Sequence, residues 1–137
     1  MIKQFKSSFF QIFSLTFIWV LLLISIFLGD VSLSVKYTWN LVCICAISAI
    51  IFGVMYPALW NFSSLKAFNK IAISSVINTL GGIIAVWLFS QDMFIFIKPW
   101  ILAIFILTII GHIIGFYFYS KWDNTKTSKE LNNLLKK

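Results

Sequence analysis

Four apolar runs, each close to the ~20 residues that a ~30 Å hydrocarbon core demands, follow one another along this chain with only short polar connections between them. They occupy residues 9–28, 39–60, 71–90 and 99–119. Inside lipid no water is at hand for backbone N–H and C=O groups, so a spanning segment must close its hydrogen bonds within itself, and each run is expected to be an α-helix. A soluble domain is excluded by composition. With 61% hydrophobic and 11% charged residues over 137 positions, a small domain has more apolar surface than it can bury.

The expected fold is therefore all-α: an integral membrane bundle of four transmembrane helices, with residues 1–120 forming the membrane domain and 121–137 a basic tail. Connections 29–38, 61–70 and 91–98 are short, which favours an up-down course of antiparallel neighbours. The first run follows Lys3 and Lys6 as a secretory signal would. Its apolar stretch is too long, however, and its end (Ile26, Phe27, Leu28, Gly29, Asp30) has no small-residue cleavage pattern, so a retained anchor is expected.

Charge sets the orientation. All 11 cations are lysines. Nine of them (Lys3, Lys6, Lys66, Lys70, Lys121, Lys126, Lys129, Lys136 and Lys137) fall on one side of the four-span layout. Only Lys36 and Lys98 fall on the other, each accompanied by an acid, Asp30 or Asp92. The positive-inside rule then places both chain ends in the cytoplasm, with the protein in the cell membrane. A net charge of +7 can also mark a nucleic-acid binder, but lysines beside apolar runs read as topology signals and no direct nucleic-acid contact is expected. Trp39, Trp87 and Trp100 near one edge, and Trp60 and Trp122 near the other, suit interfacial belts, as do Tyr37, Tyr56, Tyr117 and Tyr119.

Small and polar residues recur at helical spacing inside the runs. Gly53 lies in the second, Gly81 and Gly82 in the third, and Gly111 and Gly115 in the fourth. Such residues let helices approach closely, and are expected here as packing positions. The Gly111–Gly115 pair serves equally well for packing within one chain or for a homodimer. Ser14, Asn78 and His112 stand eight or nine residues from Lys6, Lys70 and Lys121. At 1.5 Å per residue that is one common depth, about 12–14 Å inside the cytoplasmic edge. The favoured reading of this polar layer is structural, a neutral His112 bonded to Asn78 or Ser14. The competing reading is a proton-sensitive or ligand-binding layer. Pro57 is expected to kink or end the second helix.

Catalytic signatures are missing. Cys43 and Cys45, at i, i+2, point to different sides of a helix and read as small apolar residues, not a metal or disulfide pair. The four acids (Asp30, Asp92, Asp123 and Glu130) all lie outside the runs. No phosphate loop, metal-ligand cluster or activated nucleophile is present, so the expectation is a non-enzyme without cofactors. In the tail, Thr127 and Glu130 form a capping-box pattern ahead of Leu131, Leu134 and Leu135 at i, i+3, i+4. A short amphipathic cytoplasmic helix is expected there, folding on membrane lipids or on a protein partner.

Length, the four spans, the glycine in Ile51-Phe52-Gly53, the loop Phe62-Ser63-Ser64-Leu65-Lys66, the aromatic ending Phe116-Tyr117-Phe118-Tyr119 and the basic tail from Lys129-Glu130-Leu131-Asn132 to Leu135-Lys136-Lys137 together resemble a small family. These are the four-helix membrane proteins of low-GC Gram-positive bacteria often encoded beside a LytTR-type DNA-binding regulator. The resemblance implies a membrane-bound inhibitor that holds its partner regulator at the membrane. On this chain the available cytoplasmic surface is Lys66 and Lys70 with Leu131, Leu134 and Leu135. Two other classes stay open: an accessory or immunity subunit of an ABC-type exporter, and a small lipid-carrier flippase.

Overall fold

The computed structural model describes residues 2–29 and 32–135. For 28, 123, 126, 127 and 129–135 it describes the backbone alone. The elements are α1 (Ile2–Leu28), α2 (Val35–Ser48), α3 (Ala67–Phe89), α4 (Gln91–Ile97) and α5 (Ile101–Leu135), with no strand among the described residues. Four helices are long and apolar enough to cross a membrane: Ile2–Phe27, Val35–Phe62, Ala67–Phe89 and Gln91–Trp122. Large side chains such as Leu15, Ile18, Trp19, Leu102 and Leu107 stand exposed along them. In water that pattern would be a liability, and in lipid it is the solvated face.

Helix ends follow local chemistry. Gly29 takes φ +63° after α1, the left-handed position that lets a chain leave a helix and that side chains with a Cβ rarely adopt. Ser34 caps α2, its Oγ accepting from the Tyr37 N–H at 3.2 Å. Ser90 caps α4 in the same way, accepting from the Met93 N–H at 3.3 Å. The third connection is thus helical instead of a loop, since Ser90 and Asp92 supply an N-terminus and Lys98–Trp100 form a 3₁₀ turn leading into α5.

Helix α2 does not stop at Ser48. It continues as wide π-helical turns over Ala49–Met55 and, beyond Tyr56 and Pro57, over Ala58–Phe62. A π turn spans one residue more than an α turn, and it accommodates a proline that cannot donate to the turn before it. Pro57 therefore neither ends the helix nor breaks the span.

The tail likewise departs from expectation. Helix α5 runs unbroken from Ile101 to Leu135, so Thr127 and Glu130 open no new helix. Their capping pattern lies within a segment that is already helical and gains its start from the preceding turns.

The packed core is small. Ile24, Leu41 and Ile44 form its centre, with Val20, Tyr37, Ala85 and Leu88 packed around it. Helix α1 packs along α2, α2 along α3, and α3 along α5. Asn40 near the start of α2 donates from Nδ2 to the Leu88 carbonyl near the end of α3 at 3.0 Å. At the other end, Trp60 Nε1 donates to Ser74 Oγ at 3.3 Å. Between them Cys45, Ala49, Ser74 and Ser75 are wholly buried. Small side chains at this seam let the backbones close on one another, which is the main source of helix attraction where lipid removes the hydrophobic drive.

Candidate functional site

A cleft of about 470 Å³ opens between the π-helical end of α2, the middle of α3 and α5. That volume lies in the range of small-molecule sites. The wide turns of α2 bring Tyr56 and Trp60 to it, α3 brings Asn78, and α5 lines it from Thr108 to Tyr119. Along α5 the cleft is about 16 Å long. Its walls are aromatic. The Trp60 ring lies 5.7 Å from that of Phe116 and 6.2 Å from that of Tyr119, the offset or edge-on spacing that aromatic pairs prefer.

Three polar side chains of the cleft, His112, Tyr56 and Thr108, are joined to partners. His112 Nδ1 lies 2.7 Å from the Thr108 carbonyl oxygen. A carbonyl only accepts, so Nδ1 carries the hydrogen and the other ring nitrogen of the neutral imidazole offers a lone pair. Tyr56 donates its hydroxyl hydrogen to that Nε2. Thr108 Oγ1 donates to the Ile104 carbonyl at 2.8 Å. Each hydrogen of Tyr56, Thr108 and His112 is thereby committed, while the oxygens of Tyr56 and Thr108 keep accepting capacity. Asn78, also on the wall, makes no side-chain hydrogen bond to another described residue.

Of the three residues expected at one depth, Asn78 and His112 line the same cleft, and Ser14 stands exposed on α1. The partner of His112 is Tyr56, neither Asn78 nor Ser14. Tyr56 was the residue that sequence reasoning missed. An interfacial belt explains a tyrosine near a helix end, and only the π turns bring this one to face the fourth span. A single histidine at i, i+4 from Thr108 and flanked by Gly111 and Gly115 was the available signal.

The glycines divide. A Cβ on Gly53 would sit 2.9 Å from Phe9 Cα and 3.0 Å from the Ser8 carbonyl oxygen, so α1 and α2 meet there backbone to backbone. A Cβ on Gly81 would collide with the Ile51 side chain. At Gly82, Gly111 and Gly115 an added Cβ would have no described atom of another element within 4 Å. Gly111 and Gly115 instead leave the space that the cleft occupies.

At the cleft's lysine-rich end, Lys70 Nζ donates to the Trp60 carbonyl at 3.4 Å, while Lys66 occupies the cap position of α3 without a side-chain cap bond. Leu131, Leu134 and Leu135 lie on α5, but their side chains are outside the described residues, as are Asp30, Lys136 and Lys137 altogether. Cys45 is buried and Cys43 exposed, on different sides of α2. Comparison with protein-family models, with curated proteins and with solved structures returns no match.

Proposed function

We propose that this chain is a non-enzymatic regulatory protein of the bacterial cytoplasmic membrane that holds a cytosolic LytTR-type transcription regulator at the membrane. It crosses the bilayer as four antiparallel helices with both ends in the cytoplasm. The observation that carries the reading is the continuity of α5, which links the intramembrane cleft at Thr108, His112 and Tyr119 to a basic segment ending at Leu135 without a hinge. Beyond Trp122 that helix reaches about 20 Å further, enough to present a binding face. A shift of α5 at the cleft would move this face as one rod, and a two-state equilibrium of that kind is all a releasable tether requires.

Supporting the antiparallel course, Asn40 meets Leu88 and Trp60 meets Ser74 at opposite ends of α2 and α3, and Gly53 meets Phe9 between α2 and α1. Supporting the orientation, nine of 11 lysines share one side. The resemblance described above supplies the class of partner.

The test is a pull-down of the tagged protein from native membranes in mild detergent. Capture of a soluble DNA-binding protein, lost when 121–137 is deleted or when Leu131, Leu134 and Leu135 become Ser, is expected. Capture of exporter subunits that survives the deletion would replace this reading with that of an accessory subunit.

A further inference from the structure

Uncommitted polar groups stand at the cleft on two levels. Toward the lysine-rich end, the Tyr119 hydroxyl makes no hydrogen bond to another described residue, so it can both give and accept. The Lys70 ammonium stands at the Trp60 wall, 3.4 Å from that residue's carbonyl oxygen, and two of its three hydrogens remain uncommitted. No acid among the described residues pairs with it, and none lines the cleft. At the other level, Asn78 keeps its amide hydrogens and its carbonyl oxygen free of other described residues. Tyr56 and Thr108 have given their hydrogens to His112 and Ile104, and their oxygens still accept. Asn78 follows Lys70 by eight residues on α3, and Tyr119 follows His112 by seven on α5. Both helices thus set the two levels about 10–12 Å apart. Rings fill the interval: Phe116 lies between His112 and Tyr119, and the Trp60 indole is tied to Ser74, between Lys70 and Asn78.

Each feature narrows the guest. An acid at the lysine-rich end meets an ammonium that has no other counter-charge, with the Tyr119 hydroxyl as a further donor. Away from bulk water that attraction is screened less than on an open surface. A cation would suit the aromatic walls, but it would meet the same ammonium and find no acid. A plain chain would leave the Asn78 carboxamide unpaired, which is unfavourable away from water. A hydroxyl both gives and accepts, so it can serve Asn78 and the Tyr56 oxygen together. Flat rings suit the walls between the two levels.

We propose that this cleft binds a rod-like aromatic acid that carries a hydroxyl at its far end. The acid group lies at Lys70 and Tyr119, the rings against Trp60 and Phe116, and the hydroxyl at Asn78 and Tyr56. This binding does not depend on the tethering role, and the purified chain suffices to test it.

The experiment is a binding titration of the full-length protein in nanodiscs of uncharged lipid at neutral pH, with four probes on one biphenyl frame. The parent probe has a carboxylate at one end and a hydroxyl at the other. Its three relatives replace the carboxylate by a carboxamide, replace it by an aminomethyl group, or lack the hydroxyl. The parent is expected to bind about tenfold more tightly than either head replacement, the scale of a hydrogen bond to a charged group. It should bind about fivefold more tightly than the probe without the hydroxyl, the scale of a neutral hydrogen bond. Lys70→Gln should erase the preference for carboxylate over carboxamide, and Asn78→Ala the preference for the hydroxyl. A carboxamide or an amine bound as tightly as the carboxylate, or a hydroxyl without effect, overturns the proposal. The comparison of the four probes on the unaltered protein decides it even where a variant does not fold.

Discussion

Tyr56 and His112, 56 residues apart, are joined by a hydrogen bond in which the phenol donates to Nε2 of an imidazole whose other nitrogen is held by its own helix. The bond links the π-helical end of α2 to α5, so two elements that share little backbone contact are latched by side chains. Between membrane helices such bonds contribute about 0.6 kcal/mol on average and up to about 1.7. Tyr56→Phe and His112→Phe should each lower unfolding stability in detergent by roughly 1 kcal/mol. The double variant should cost less than the sum, giving a coupling of the same size in a mutant cycle. Strict additivity would mean that the pair does not act as a unit.

Gly53 and Gly82 make opposite predictions from the same residue type. A methyl at Gly53 meets the α1 backbone at Phe9 and Ser8, whereas one at Gly82 meets nothing. Gly53→Ala should destabilise by about 1–3 kcal/mol, the usual range for overpacking, and Gly82→Ala should stay within about 0.5 kcal/mol. Thermal unfolding of the two variants side by side distinguishes them, and equal behaviour would contradict the close approach.

Ser75 and Thr79 place buried hydroxyl oxygens without hydrogen-bond partners among the described residues. A buried polar group left unpaired opposes folding, and an apolar replacement of the same shape removes that cost. Thr79→Val should leave stability unchanged or raise it by about 1 kcal/mol. A clear loss in chemical unfolding would point to a partner, such as a water, on Oγ1.

Orientation can be read directly with single cysteines in a background lacking Cys43 and Cys45. Lys36→Cys and Lys98→Cys should react with an impermeant thiol reagent added outside intact cells. Lys66→Cys and Lys121→Cys should react only after the membrane is opened. The reverse pattern would invert the positive-inside assignment.

Much of the architecture was legible because its causes are local. An apolar run long enough to span must be helical in lipid, and each of the four runs lies, to within one residue, in a helix long and apolar enough to cross a membrane. The helix boundaries were less legible. The π turns over Ala49–Met55 and Ala58–Phe62 have no sequence signature beyond Pro57, and without them a count of 3.6 residues per turn misplaces everything after Ser48. For the same reason Tyr56 passed for an interfacial residue, although Asn78 and His112, which do share the cleft, could be grouped by depth alone. The stop between span and tail was also misread. A capping pattern marks where a helix is able to begin, and it carries no weight where the preceding turns already supply its hydrogen bonds.

Those wide turns have a consequence for how this chain tolerates change in length. Removing one residue from an ordinary spanning helix rotates everything beyond it by about 100°, which would swing a buried face into lipid. Between Ala49 and Phe62 the helix holds spare residues, because each π turn carries one more than an α turn needs. A single deletion there has another outcome open to it: one wide turn tightens to an α turn, and the residues on both sides keep their bearings. This is the stretch of the membrane domain where losing a residue should do least damage to the rest.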